Sequence, residues 1–275
     1  MATTDHTPRL FVLAGTNGAG KSSIGGAVIR ARGGHYFNPD EAAAAIRRAQ
    51  PHLSHTQANS AAWHEGKRLL QHAIAKGLDY NFETTLGGRS FAALLQDAAT
   101  KGMEVRVWFV GLASAEHHLA RVKARVRKGG HNIPEADIRR RFDQSRLQLI
   151  QLLPHLTELR VYDNTDDADP HLGQAPRPRL LLHWQRPAGH VGQVLHPREA
   201  SMLGHTPDWA KPVVMAALKA SVAPASVRPD TAAGTAASTA PLEPRSRPQP
   251  EGTQRSKRAS TSGARPKRNR PAKSP

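Results

Sequence analysis

A mostly parallel β-sheet with helices on both faces is what this sequence predicts, and three observations carry the prediction. Short apolar runs alternate with helical patterns as far as residue 165, the alternation expected of an α/β sheet. The first run, Leu10-Phe11-Val12-Leu13-Ala14, leads directly into Gly15-Thr16-Asn17-Gly18-Ala19-Gly20-Lys21-Ser22 and then into a helical stretch. That is the strand–loop–helix context a G-x-x-x-x-G-K-[ST] loop needs. Polar residues recur where strands end, at Asp40, Glu83 and Asn164, and ligands of open α/β sheets sit beyond the carboxyl ends of the strands. The fold class is therefore α/β of the P-loop NTPase type.

Each element has its own signal. Residues 10–14 read as a buried parallel strand and residues 20–32 as the helix after it. His35-Tyr36-Phe37-Asn38 is a short second strand, ending at Asn38-Pro39-Asp40-Glu41, where Asp40 is placed to cap a helix over residues 41–50. Residues 56–76 carry Trp63, Leu70 and Ile74 on one helical face, and Gly77 ends the helix. Residues 78–83 form a third strand that delivers Glu83, Thr84 and Thr85 to a loop with Gly87, Gly88 and Arg89. A helix over 90–101 and the most apolar strand, 105–112, follow. The next helix, 115–128, is studded with Arg121, Lys123, Arg125, Arg127 and Lys128 and breaks at Gly129-Gly130-His131-Asn132-Ile133-Pro134. Pro134 opens another helix that runs to about residue 153. Residues 159–162 are a last core strand before Asp163-Asn164-Thr165. A C-terminal β-hairpin, 179–184 with 190–195, covers a sheet edge, and residues 207–218 suggest a short terminal helix.

Composition divides the chain. Of 275 residues 38% are apolar, and the shortfall is concentrated after residue 205, where Pro, Ala, Ser, Thr, Lys and Arg dominate and Trp209 is the final aromatic residue. Such a segment cannot bury enough apolar surface to offset its ordering entropy. The expectation is one folded domain, 1–205, and a disordered basic tail, 206–275. Residues 1–205 hold 26 basic and 18 acidic residues, a net of +8, and residues 206–275 hold 13 and 4, a net of +9. A tail this basic can bind nucleic acid or another anionic surface non-specifically, or serve only as a solubilising extension. The chain has no cysteine, which excludes disulfides, zinc–thiolate sites and thiol catalysis. The polar first nine residues lack an apolar signal core, and no run approaches eighteen apolar residues, so a cytoplasmic protein without a membrane segment is expected.

The residue types match phosphoryl transfer from ATP or GTP with Mg²⁺. The loop residues Gly15, Thr16, Asn17, Gly18, Ala19, Gly20, Lys21, Ser22 and Ser23 would cradle phosphates with backbone N–H groups at a helix N-terminus. Lys21 would reach the β/γ-phosphates and the Ser22 hydroxyl would ligate the metal. Arg121 and Arg125, four residues apart, share a helix face. They either hold an anion or form a solvated basic face, and Gly129-Gly130 next to them resembles a lid hinge. Asp40 can accept a proton from an acceptor hydroxyl or cap its helix. Glu83 can bind the acceptor, hold a metal-bound water or face solvent, and Thr84 and Thr85 can bind the acceptor or shape the turn. Of Arg139, Arg140 and Arg141, at least one is surface charge.

These pieces, in this order over about residues 9–165, resemble the zeta-toxin family of P-loop kinases in its Gram-negative form. The matching segments are Gly15 to Ser22, Asn38-Pro39-Asp40-Glu41, Phe82-Glu83-Thr84-Thr85, Arg121 to Arg127, Gly129 to Pro134 with Arg139 to Phe142, and Tyr162-Asp163-Asn164. The family's toxins phosphorylate the 3′-hydroxyl of the amino sugar of UDP-N-acetylglucosamine and are often neutralised by an antitoxin protein. The resemblance implies Lys21 on the β/γ-phosphates, Asp40 as base, Glu83 and Thr84 on the acceptor, Arg121 on the transferred charge and Asn164 near the nucleotide base. A second family arginine falls near His131, so Arg125 or Arg127 is expected to replace it. Two other readings remain open on the residues themselves: a polynucleotide kinase that uses the basic tail, and a nucleotide-dependent binding switch.

Overall fold

The structure is a computed structural model that describes residues 6–26, 28–29, 36–166 and 177–222. Among these, six strands form one sheet in the order β2-β1-β3-β4-β5-β6. They are β1 (Arg9–Ala14), β2 (Tyr80–Thr84), β3 (Glu104–Gly111), β4 (Glu158–Asp163), β5 (Arg179–Gln185) and β6 (Gln193–His196). The pairs β1–β2, β1–β3 and β3–β4 are parallel, and β4–β5 and β5–β6 are antiparallel. The hairpin thus covers the β4 edge by extending the sheet, with its second strand at 193–196 rather than 190–195.

The helices are α1 (Ser22–Gly26, wound with π-helical spacing), α2 (Pro39–Ala49), α3 (His55–Lys76), α4 (Arg89–Thr100), α5 (Ala115–Arg127), α6 (Glu135–Leu152), α7 (Ala200–Leu203) and α8 (Lys211–Val222). Their ends follow local chemistry. Ser54 and Gln57 close a capping box on α3, and Gly77 ends it in the left-handed conformation. The strands supply Leu10, Val12, Val105, Val107, Leu159, Val161 and Leu182 to a main core with Leu95 of α4, Leu149 and Leu152 of α6 and Val213 of α8. On the other side of the sheet Leu13 and Val110 pack with Ala19 and Ile24 below the phosphate loop.

Two expectations change, and a third reaches beyond the described residues. The second strand reduces to a single parallel bridge, Phe37 with Phe82, because Asn38 turns at once to cap α2; His35 lies outside the described residues. The helix expected over 20–32 is described only as far as residue 29, and residues 27 and 30–32 lie outside the description. The boundary at 205/206 falls short of the packed chain. Trp209, Val213, Val214 and Ala217 are buried in the main core, and burying each of the two valines stabilises by about 1.5–3 kcal/mol. Averaging composition over the whole tail hides that apolar stripe. The tail beyond residue 222 lies outside the described residues. Among the described residues no helix is long and apolar enough to cross a membrane.

Candidate active site

The parallel strands β1, β2, β3 and β4 end on one edge of the sheet, and the loops beyond them carry the polar groups. The loop after β1 is shaped by glycines. Gly15 has φ +137°, and a Cβ there would stand 2.1 Å from the Val110 carbonyl oxygen. At Gly20, φ +85°, it would stand 2.5 Å from Asn164 Nδ2. Neither position admits another residue. Lys21 is buried, with Nζ donating to the Thr16 carbonyl at 3.4 Å and 3.5 Å from Glu83 Oε1. Ser22 Oγ donates to Glu83 Oε2 at 2.8 Å. Ser23 is exposed.

Asn164, expected near the nucleotide base, packs against the phosphate loop. It is buried, and its Nδ2 donates to the Ala19 carbonyl at 2.9 Å, so it braces the loop from the end of β4. His118 on α5 braces it from another side, 2.8 Å from the Asn17 carbonyl. Burial lowers the pKa of His118 to about 4, with Lys21 and Arg121 adding repulsion against the opposing Asn17 bond. The ring is therefore neutral near pH 7 and carries its proton on Nδ1, since a carbonyl only accepts.

The capping role expected of Asp40 belongs to Asn38. Asn38 Oδ1 accepts from the Asp40 and Glu41 N–H groups at 2.9 and 3.4 Å, because Asn38 has the extended backbone of an N-cap and Pro39 opens the helix. Its Nδ2 reaches Ser22 Oγ at 3.2 Å and Glu83 Oε2 at 3.5 Å. The Asp40 carboxylate is left free of backbone duty and meets Arg125 Nη1 at 3.3 Å. Glu83 lies at the Lys21–Ser22 end of the site rather than at a solvent-facing strand end.

Thr84 and Thr85 shape the turn: their Oγ1 atoms accept from the Leu86 and Gly87 N–H groups at 3.2 and 3.3 Å. Leu86 takes φ +49°, a conformation that costs a non-glycine residue about 1–2 kcal/mol. Both threonines still line the adjoining cleft.

The arginines separate. Arg121 Nη2 donates to the Thr165 and Asp166 carbonyls at 3.3 and 3.4 Å, so it ties α5 to the loop after β4. Arg125 joins Asp40 to the His131 carbonyl, the latter at 2.9 Å, and Arg127 is exposed. Arg139 and Arg140 are exposed and pair with Glu116, Glu135 and Asp137. Arg141 is the arginine that sequence reasoning missed. Its Nη1 donates to Asn17 Oδ1 in the phosphate loop at 2.8 Å, and burial lowers its pKa against the opposing charge of Asp137. The signal was the stripe Ile138, Ser145, Leu149 and Leu152, all fully buried, on which Arg141 falls at helical spacing. His131 Nε2 lies 2.9 Å from Asn59 Nδ2 and stacks on His55 at 5.6 Å.

A cleft of about 830 Å³ opens beside the loop, lined at one end by Asn17, Asp40, Glu83 and Arg141. The residues fit a triphosphate and a hard cation. Backbone N–H groups, Lys21 and Arg141 suit phosphate oxygens, and the Ser22 and Glu83 oxygens suit magnesium. Among the described residues no three carboxylate or histidine groups cluster as a metal site.

This loop on this sheet defines the fold of the P-loop kinases. The sequence profile of the zeta toxin family matches residues 2–169, and the chain belongs to the zeta toxin family. An "Uncharacterized protein" of Haemophilus influenzae is 31% identical over 137 residues, 46% of this chain and 88% of that protein. The AvrRxo1-ORF1:-ORF2 complex has a similar fold. Its sulphate form gives TM-score 0.53 at 16% identity over 70% of this chain and 62% of that one. Its ATP form gives 0.51 at 16% identity over 65% and 59%. The match thus spans about six-tenths of the length of those structures.

Proposed function

We propose that the chain is a kinase that transfers the γ-phosphoryl group of ATP or GTP, with Mg²⁺, to a hydroxyl of a small molecule, a nucleotide sugar such as UDP-N-acetylglucosamine. The observation that carries this reading is Asp40: a carboxylate relieved of capping by Asn38, in a cleft that adjoins Lys21 and Arg141. In the reaction the acceptor oxygen bonds to the γ-phosphorus, the bond to the β,γ-bridging oxygen breaks, and the hydroxyl proton passes to Asp40. Lys21 and the loop N–H groups hold the β/γ-phosphates, and Arg141 and Arg125 meet the charge on the transferred group. Ser22 and Glu83 are the residues that would hold Mg²⁺, which neutralises phosphate charge. Membership of the zeta toxin family supports a nucleotide-sugar acceptor and an antitoxin partner as parts of this reading.

The test is transfer from γ-labelled ATP with Mg²⁺ to UDP-N-acetylglucosamine, other nucleotide sugars or a 5′-hydroxyl oligonucleotide, with Lys21→Ala as control. Label on a nucleotide sugar that disappears with Lys21 supports the reading. Label on the oligonucleotide alone replaces it with a polynucleotide kinase, and ATP binding with no labelled product replaces it with a binding switch.

A further inference from the structure

The cleft is roomy and its two ends differ in chemistry. Its volume of about 830 Å³ is in the range that encloses a drug-sized ligand rather than one sugar ring. Asp40, Glu83 and Arg141 lie at the phosphate-loop end. Along α3, Asn59 and Trp63 both line the cleft, one turn and about 6 Å of helix rise apart. Asn59 contacts His131, the His131 carbonyl accepts from Arg125, and Arg125 meets Asp40. Asp40, His131, Asn59 and Trp63 therefore line one cleft, with Arg125 linking the first two.

Trp63 is 37% exposed, unusually open for an indole with aromatic neighbours. It meets Phe91 edge-on at 5.8 Å, and Phe91 stacks on buried Phe82 at 5.6 Å. Lys67 lies over the indole at 5.6 Å. These contacts fix the plane of a large apolar ring on a cleft wall, which is what a stacking platform requires. Asp40, the base on the kinase reading, lines the same cleft, so on that reading the wall belongs to the acceptor side of the site.

We propose that Trp63, backed by Phe91, is a shelf that stacks a planar heteroaromatic ring carried by the phosphate acceptor. The inference rests on the kinase reading and adds to it the residue that selects base-containing acceptors over free sugars.

Binding to the full-length chain, followed by tryptophan fluorescence and calorimetry, tests it. UDP-N-acetylglucosamine and UMP carry a ring, N-acetylglucosamine 1-phosphate does not, and ATP probes the donor side. Of the other three tryptophans, Trp184 and Trp209 are buried at 1% and 3% exposure, and half-buried Trp108 does not line the cleft, which favours Trp63 as the reporter. The ring-bearing probes should quench. Trp63→Ala should weaken them by about ten-fold or more, Trp63→Phe by under about three-fold, and the ring-free probe should bind as before, with melting curves confirming the fold. Equal weakening of the ring-free probe, no weakening of the ring-bearing ones, no binding of any ring-bearing probe, or quenching by ATP alone overturns the shelf. Binding is read apart from transfer. Ring-dependent binding without transfer overturns the kinase reading and leaves the shelf, whereas transfer that ignores the ring does the reverse.

Discussion

Arg125 spans from Asp40 to His131: Nη1 stands 3.3 Å from Asp40 Oδ2 while Nη2 donates to the His131 carbonyl at 2.9 Å. The two side chains are 36% and 48% exposed, and an ion pair this open is worth about 0–1 kcal/mol. Such a pair yields easily to a phosphate. On the kinase reading proposed above, Arg125 would exchange the carboxylate for a phosphate oxygen and release Asp40 for the acceptor hydroxyl.

Asp40→Asn keeps the size of the side chain and leaves the Asn38 cap intact, and the Arg125 pair it weakens is worth only about 0–1 kcal/mol, so loss of the proton acceptor dominates its effect. Transfer should fall by about 10²–10⁴-fold, while triphosphate binding measured by calorimetry stays unchanged. Full transfer in this variant would place the base elsewhere.

Arg141 and Arg140 make a paired test. Arg141 reaches Asn17 of the phosphate loop, and Arg140 is exposed on Asp137. Losing a charge that meets the transferred phosphoryl costs about 10³-fold or more in kcat, so Arg141→Ala should approach that loss and Arg140→Ala should show none. Arg141→Lys should recover little, because an ammonium cannot reproduce the planar fork. Steady-state kinetics with each variant decide it, and equal effects at the two positions would make Arg141 ordinary surface charge.

Much of this geometry is legible in the sequence because strand ends are. An apolar run that stops at Gly15, at Glu83 or at Asn164 puts its polar residue on one edge of a parallel sheet. Where side chains turn is a different matter. Asn38 and Asp40 are both good caps, and only the extended backbone at Asn38 settles which one serves. Asn164 and Arg121 sit on the expected edge but aim at carbonyls of Ala19 and Thr165, contacts between segments more than forty residues apart. Arg141 was hidden by its neighbours, since three successive arginines read as charge until the helical stripe is drawn through Ile138 and Ser145.

His118 predicts acid sensitivity. Its pKa is near the usual 6.5 when unfolded and is lowered to about 4 in the fold, burial being the largest cause. Between those values the unfolded chain binds a proton that the folded chain refuses, so stability rises with pH in that window. His118 therefore contributes fully above pH 6.5, and about 3 kcal/mol is lost as pH falls through the window toward 4. Urea midpoints at successive pH values measure the slope. His118→Gln, which cannot gain the proton, should flatten it, and an unchanged slope would assign the sensitivity to other groups.

The segment beyond the family match is tied to the site through Gly111 and Trp209. A Cβ at Gly111 would stand 2.4 Å from the Trp209 ring. The Trp209 carbonyl accepts from Arg146 on α6 at 3.1 Å, and the Gly111 carbonyl accepts from the Asn164 N–H at 3.0 Å. Trp209→Ala opens a cavity and should cost about 3–5 kcal/mol. Gly111→Ala should also destabilise, because the ring must move from a packed position. The two changes share one space, so their combination should cost less than the sum of the singles, with an interaction of about 0.5–3 kcal/mol. Denaturation of the four proteins completes the cycle. Simple additivity would mean that Trp209 and Gly111 do not constrain each other, and that residues 206–222 cover the sheet without pressing on the end of β3 from which the loop beside Asn164 departs.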